Sequence, residues 1–348
     1  MKYFLFIFLI LLQILLDLNL SFQKGVSNIC EIKIKIKGTG PQSIFDGSNY
    51  FKLPDEIYLE KSKIGIISNR INLTKKETTI ILRWNSTFQS CKQMFFFCSN
   101  ITEIDLSSFN NPDLVDMTNM FINCKSLTSI NFSSFNTSKV TSMNSVFRDC
   151  YNLVSLNLST FNTSNVINMN LMFYKCISLT SLDLSNFDTS KVIQMAYMFS
   201  YCSNLSFLDI SSFKTPRIKI LYHMFQGCES LTSLIFSNFN ASVLTDWVSM
   251  FAYCINLKYI DFSNAIDNSN LDFRDIFKNF GKNLTVCINK AKAPKLFSKL
   301  IELNSTSINC SFISCKYYHY YDNEEKKCTE TEQCPKKYNK LILEKTMY

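Results

Sequence analysis

Apolar residues recur along the middle of the chain with a period of 26 residues. Seven cysteines keep this spacing without an insertion or deletion, and each stands three residues after a phenylalanine. The cysteines are Cys98, Cys124, Cys150, Cys176, Cys202, Cys228 and Cys254. An eighth, degenerate unit has Phe277 in register and Phe280 where the cysteine would stand. A unit this short cannot bury its apolar face alone, so the pattern predicts a stack of coils, that is, a solenoid.

One unit, Leu179–Cys202, shows which elements the pattern predicts. Leu182 and Leu184 alternate with polar residues, which is typical of a short strand with one buried face. A polar turn, Asp188–Ser190, follows and could cap a helix. Apolar residues then recur at helical spacing: Val192, Met195, Met198, Phe199 and Cys202. We therefore expect an α/β solenoid, a stack of about seven to eight coils that each contain a strand and a helix.

The repeated pattern LxxLdLSxFdTSxVxxMxxMFxxC closely resembles the repeat of the BspA-type surface proteins, a leucine-rich-repeat variant. The resemblance covers about Cys91–Phe280, with seven consecutive units in register. It implies a secreted or cell-surface leucine-rich-repeat protein that acts as a non-catalytic binding or adhesion module. The alternative is a structural coat or matrix component whose repeats serve self-assembly.

The flanking segments differ from the repeats in composition. Residues 22–90 contain alternating runs, Glu31–Lys37 and Thr78–Trp84 among them, which predict a β-rich N-terminal cap over the open end of the stack. We place the repeats at residues 91–286, followed by a C-terminal cap and cysteine-rich tail at 287–348.

The first 21 residues have the features of a secretory signal peptide. Lys2 precedes an apolar run that breaks at Asp17, and polar residues follow around Ser21. An uncleaved signal anchor is the alternative, but the run is shorter than the roughly 20 residues that a bilayer span needs. We expect a secreted, extracellular protein, either free or associated with the cell surface, that meets a membrane only through this segment or an associated anchor.

Secretion gives meaning to the Asn-x-Ser/Thr sequons, which predict a glycoprotein with a few of the sites used. A chain rich in Asn, Ser and Thr also forms such triplets by chance. The sequons begin at Asn72, Asn85, Asn100, Asn131, Asn136, Asn157, Asn162, Asn204, Asn240, Asn283, Asn304 and Asn309.

Charge argues against a nucleic-acid partner. The net charge of +8 divides into +6 for residues 22–98, −2 for 99–262 and +4 for 263–348. A nucleic-acid groove would place the basic excess on the repeats instead of the ends. The partner we expect is an extracellular protein or a glycan.

The recurring cysteines invite three interpretations. They share one apolar stripe with Met and Phe, which favours buried free thiols in a structural core ladder over disulfides. Zinc is disfavoured, because a 26-residue spacing contains no C-x-x-C cluster and His223 is the one histidine within the repeats. Disulfides are expected at Cys287 and in the tail, if anywhere.

We expect that the protein is not an enzyme and binds no cofactor. The chain has two histidines, and it contains no nucleophile elbow and no glycine-rich phosphate loop. A recurring acidic column could bind calcium through stacked oxygens, although a solvated polar ladder explains it more simply. The column consists of Asp105, Asp183, Asp209 and Asp261, with Asn131 and Asn157 in two gaps.

The predicted binding surface is the outward face of the strands. Its columns are polar except where Phe207, Ile235 and Tyr259 stand in consecutive units. These three could form one shallow apolar patch with Asp209 and Asp261 at its edge. The alternative is that isolated exposed apolar side chains are normal and carry no function.

Overall fold

The chain forms a β-solenoid of about seven turns with very little helix. The computed structural model describes residues 29–302, apart from 66, 241, 245, 269–271 and 282–283, and three short strands at 306–309, 321–322 and 327–328. The predicted signal peptide, residues 1–21, and most of the tail lie outside the described residues. Among the described residues, no helix has the length and apolar character to cross a membrane.

Six strands precede the repeats: β1 (Cys30–Lys37), β2 (Gly40–Ser43), β3 (Glu56–Leu59), β4 (Ser62–Ile64), β5 (Arg70–Leu73) and β6 (Glu77–Trp84). The first two coils add β7 (Ile101–Asp105) and β8 (Ser129–Asn131). One sheet has the order β4-β3-β6-β1-β7-β8, while β2 and β5 pair separately. All six of the strands before β7 lie between residues 30 and 84.

Strand β1 closes the N-terminal edge of the solenoid. It pairs antiparallel with β7, which pairs parallel with β8 on its other side. Lys35 on β1 reaches Glu103 on β7 at 3.0 Å, an exposed pair that fixes the register more than it stabilises the contact. Trp84 fills the junction, with its ring centre 6.0 Å from that of Phe109. The first strand of the repeats, β7, is thus paired on both sides, and among the described residues the outer edge of this sheet is the three-residue strand β4.

A second sheet is parallel and consists of β9 (Phe207–Asp209), β10 (Ser233–Ile235), β11 (Tyr259–Phe262), β12 (Thr285–Ile288) and β13 (Thr306–Asn309). Between β12 and β13 lies helix α1 (Pro294–Glu302), and β14 (Tyr321–Asp322) pairs with β15 (Lys327–Cys328). Helix α1 buries Leu296 and Leu300 at helical spacing. The Asp267 carboxylate accepts the Leu296 N–H at 2.7 Å and caps the first turn of α1 from another coil.

The strand face is not continuous across the seven coils. Residues 154–158 and 180–184 form no strand, and one backbone hydrogen bond, Thr180 N to Val154 O at 3.3 Å, joins them. Side chains make the connection instead, because Asn186 donates to Leu158 O at 3.0 Å. The inward Leu182 is 9% exposed here, whereas Leu208 in the next coil is 0% exposed.

The predicted helix in each coil is wrong. Met195–Cys202 forms two consecutive four-residue turns, closed by Met198 N to Met195 O at 3.3 Å and by Cys202 N to Phe199 O at 3.0 Å. The third residue of each turn, Tyr197 or Tyr201, has a positive φ, as in type II turns. Two such turns return apolar side chains to the core at spacings of three and four residues, as a helix does. We call this eight-residue segment the double turn.

Positive φ recurs at both of these positions in every coil. The pairs are Gln93 and Phe97, Asn119 and Asn123, Ser145 and Asp149, Leu171 and Lys175, Tyr197 and Tyr201, His223 and Gly227, Ser249 and Tyr253, and Asp275 and Asn279.

Alternate residues of the double turns form the regular ladder of the solenoid. Phe173 N bonds to Met198 O at 2.9 Å, and Lys175 N bonds to Ser200 O at 2.9 Å. The same hydrogen bonds join each coil to the next from the first unit to the degenerate eighth. In the last of these, Phe251 N bonds to Ile276 O at 2.8 Å. The segment predicted to be helical therefore carries the parallel β-type pairing that the strand segments carry only in part.

Eight phenylalanine rings stack along the core behind this ladder. Neighbouring ring centres are 5.3–5.7 Å apart, and their planes are within 11° of parallel. This is an offset stack set by the distance between coils. The rings are those of Phe95, Phe121, Phe147, Phe173, Phe199, Phe225, Phe251 and Phe277.

The seven recurring cysteines are buried free thiols beside this stack. From the second coil on, each thiol donates to the carbonyl oxygen of the phenylalanine 29 residues earlier, as Cys176 does to Phe147 O at 3.1 Å. Cys287, in contrast, is disulfide-bonded. Its partner is not among the residues whose side chains the structure describes.

We expect the ladder thiols to resist alkylation in the native protein. Burial raises the pKa of Cys202 and of Cys254 to about 12, so almost no thiolate forms at pH 8 or 9 and no reagent reaches the sulfur. Mass spectrometry after iodoacetamide treatment should find these cysteines labelled only after denaturation. Labelling of Cys202 at the same rate in native and denatured protein would contradict the burial.

Substitution of Cys176 should test whether its side chain lies in the core. Cys176→Ala removes the donor to Phe147 O and leaves a small cavity, which should lower the free energy of unfolding by about 1–2 kcal/mol. Cys176→Asp buries an unpaired charge and should abolish folding. Denaturation followed by circular dichroism measures both, and an Asp variant as stable as the Ala variant would show that the position is not in the core.

Candidate binding surfaces

Strand pairing places the residues of the predicted strand-face patch in neighbouring columns. Phe207 and Tyr259 are the lateral partners of Ser233 on its two sides. Ile235 stands in the same relation to Asp209 and Asp261, and every side chain in these columns is one strand spacing, about 4.8 Å, from the next.

The patch is shallower than expected. Phe207, Ile235 and Tyr259 are half-buried, and Asp261 is 2% exposed. Asp209 is half-buried as well. The surface therefore offers only part of its aromatic and aliphatic side chains to a ligand, and the acidic residues at its edge are half-buried or buried.

The recurring acids of this column form turns. The Asp209 carboxylate accepts the N–H of Ser211 at 3.0 Å, and Asp105 accepts that of Ser107 at 2.9 Å. Asn157 accepts the N–H of Ser159 at 3.0 Å in the same way. Asx turns use either residue type, so the alternation of Asp and Asn reflects this backbone role. Within the described residues, no three His, Cys, Asp or Glu side chains are grouped so that they could hold a metal ion.

The polar residues Asp188–Ser190, which were expected to cap a helix, also have a structural role. Asp188 accepts the N–H of Ser190 at 3.0 Å, and this bond holds the pKa of Asp188 below its ordinary value. Thr189 is fully buried and donates to Lys214 O at 2.7 Å. With the double turn in place of the expected helix, these residues are not a helix cap. They form a second ladder between coils.

Several sequons coincide with these turns. Asn136 accepts the N–H of Ser138 at 2.9 Å, and Asn162 accepts that of Ser164 at 3.1 Å. The serine that completes the triplet is the turn donor, and units with Asp188 at this position use the same geometry. The fold therefore gives a backbone role to the triplets that begin at Asn131, Asn136, Asn157, Asn162 and Asn240.

Replacing Asn136 tests this role. Asn136→Asp keeps the acceptor oxygen and should leave the free energy of unfolding within a few tenths of a kcal/mol, although it destroys the sequon. Asn136→Ala also destroys the sequon and loses the acceptor, which should cost about 1 kcal/mol. Urea denaturation of both variants makes the comparison, and equal losses would point to the attached glycan as the stabilising feature.

A cluster of aromatic rings on the double turns was not predicted. Tyr197 stacks on His223 with ring centres 4.7 Å apart and planes 4° from parallel. Tyr197 also meets Tyr222 and Tyr174 edge-to-face, at 5.3 and 6.1 Å. Tyr174 meets Tyr201 at 6.0 Å. We call these five residues the aromatic cluster, which spans three consecutive coils.

Two cations border the aromatic cluster. Lys175 Nζ lies 5.3 Å from the ring centre of Tyr174 and 5.9 Å from that of Tyr201. The Arg148 guanidinium lies 5.2 Å from the Tyr174 ring centre and is paired with Asp149 at 3.2 Å. Such contacts stabilise a cation over a ring by about 0.5–1 kcal/mol at exposed sites.

His223 is half-buried and part of this surface. Burial lowers the pKa of its imidazole below the ordinary value, which favours the neutral ring that stacks on Tyr197. Comparing the same position across units could have revealed the cluster, because tyrosine replaces the serine, asparagine or glycine of other coils.

Fold and surfaces together define a repeat protein of the β-solenoid class, held by ladders between identical coils. The chain belongs to the family described as "Mycoplasma protein of unknown function, DUF285", which matches residues 89–206 and 152–264 and so just over half of the sequence. No curated protein matches the chain.

Proposed function

We propose that the protein is a secreted or cell-surface binding and adhesion module that recognises an extracellular protein or glycan without catalysis. The observation that carries this proposal is the register of the strand-face patch. Phe207 and Tyr259 flank Ser233 on neighbouring parallel strands, with Ile235 in the adjacent column. Apolar and aromatic side chains grouped in this way are typical of interface hot spots.

Two features of the sequence support the proposed location at the cell surface or outside the cell. The repeat resembles that of the BspA-type leucine-rich-repeat surface proteins, and the apolar segment after Lys2 is typical of a secretory signal peptide. The proposed location is extracellular, with attachment to the cell surface through the signal segment or an associated anchor.

The use of the outward acids supports a non-catalytic role. A general acid or base must be able to exchange its proton with a substrate. Asp105, Asp188 and Asp209 instead accept backbone N–H groups of their own turns. The recurring thiols are buried in the core and face carbonyl oxygens, so they are not placed as nucleophiles.

Replacing Phe207 and Tyr259 together by serine should weaken the interaction. Both stand at outward strand positions and are half-buried, so the variant should still fold with a modest loss of stability. Its affinity for the partner should fall by more than about 1 kcal/mol, the usual threshold for a hot spot. The measurement is retention of the full chain on an array of immobilised matrix proteins and glycans.

Val154→Ser is the matched control, because Val154 is also apolar, on the strand side and 51% exposed, but lies two coils away from Phe207. It should bind as the parent does. Unchanged binding by the double variant would assign recognition to another surface. Concentration-dependent self-association of the parent, lost in the double variant, would favour the coat or matrix role instead.

A further inference from the structure

We propose that the aromatic cluster, with Arg148 and Lys175, binds an acidic polysaccharide. This site is on the double turns, and the inference does not depend on any binding by the strand face. Rings supply apolar contact, phenol groups supply hydrogen bonds, and the two cations supply charge for a carboxylate or sulfate.

The aromatic cluster is separate from the hydrophobic core. Its rings contact one another through T-shaped pairs and one stacked pair, while the core has its own separate column of phenylalanines. Tyr201 is 37% exposed and the other four rings are half-buried. Tyrosine combines a large, rigid apolar body with a polar end, which suits an amphipathic ligand such as a sugar ring.

Backbone conformation does not dictate tyrosine at these positions. Tyr197 and Tyr201 have φ of 57° and 60°, but residues of several kinds adopt the same conformation in other coils, among them Asn123 and Lys175. Gly227 makes room for the cluster, since a Cβ there would come within 2.6 Å of Tyr201 Cδ1. The tyrosines are therefore not required by the fold of the double turn.

The charge distribution fits an anionic ligand at one end of the cluster. Lys125, Arg148 and Lys175 come from three consecutive coils, although residues 99–262 as a whole carry a net charge of −2. Asp149 is 7% exposed and already paired with Arg148. Asp246 lies toward the His223 end, where it accepts the Val248 N–H at 2.9 Å. Anionic groups should therefore lie between Arg148 and Lys175.

A polysaccharide fits these features better than other anionic polymers. Single-stranded nucleic acid needs open ring faces for its bases and a basic groove along its backbone. Here the basic groups over the rings are Arg148 and Lys175, beside Tyr174 and Tyr201, which do not make the groove that would follow a nucleic-acid backbone. An acidic peptide would use the cations but would have little use for the rings. Acidic sugars offer both apolar C–H faces and carboxylates or sulfates.

The test uses the full-length protein titrated with polygalacturonate, hyaluronate and heparin as acidic probes and with dextran as the neutral one. The variant Tyr174→Gln, Lys175→Asn and Tyr201→Asn replaces each residue with one found at the same position of another coil, Gln226 or Asn123. We expect at least one acidic probe to bind, dextran to bind far more weakly, and the variant to lose at least about tenfold in affinity. The affinity of the parent should fall as salt rises from about 50 to about 200 mM.

Tyr253→Asn is the control for conformation and exposure. Tyr253 occupies the same position of the double turn, has φ of 64° and is 40% exposed, but has no contact with the cluster. It should leave binding unchanged, as should the Phe207 and Tyr259 double variant, which separates this site from the strand face. The inference is overturned if no acidic probe binds, if dextran binds equally, if the triple variant keeps its affinity, or if polyglutamate or single-stranded DNA binds more tightly.

Discussion

The backbone hydrogen bonds between successive double turns are the interaction on which the rest of the structure depends. They recur at every coil, as Phe173 N to Met198 O at 2.9 Å illustrates, whereas strand pairing lapses at two coils in the middle. Each double turn must therefore keep one fixed shape, because a coil with a different shape could not pair on both sides. Stability in such a stack is a sum over neighbours, so one irregular coil weakens both of its interfaces.

The cysteine and phenylalanine ladders follow from that fixed shape. Closing the second turn directs the carbonyl of Phe147 toward both Cys150 N, at 3.2 Å, and the thiol of Cys176, at 3.1 Å. The site needs a small side chain that fills apolar space and still donates weakly to a carbonyl, and cysteine meets both needs. A larger aliphatic side chain would overfill the space, and alanine would leave it partly empty. Repetition of cysteine thus reflects packing between coils, with no requirement for disulfides.

Sequence patterns predicted the coil length and the inward residues but misassigned the elements. Met195, Met198, Phe199 and Cys202 are buried as expected, because two four-residue turns and a helix return side chains to one face at the same spacing. Only the positive φ of Tyr197 and Tyr201 separates the two possibilities, and tyrosine gives no local signal for that conformation. The sequence patterns did not predict the aromatic cluster for a related reason. Its contacts between coils join residues 23 to 27 positions apart, which become neighbours only when turns are stacked.

The uneven distribution of hydrogen bonds also bears on where a ligand can bind well. A surface gains affinity when its groups are already held in place, since less conformational freedom is lost on binding. On the double-turn side, every coil from the first unit to the eighth is tied to the next by main-chain bonds, so Tyr174, Tyr197 and Tyr201 project from a fixed frame. On the strand side, the coils of residues 154–158 and 180–184 are held mainly by side chains. The proposed strand-face recognition would therefore use the coils around β9, β10 and β11, where parallel pairing resumes, whereas the double-turn side offers a preorganised surface from the first unit to the eighth.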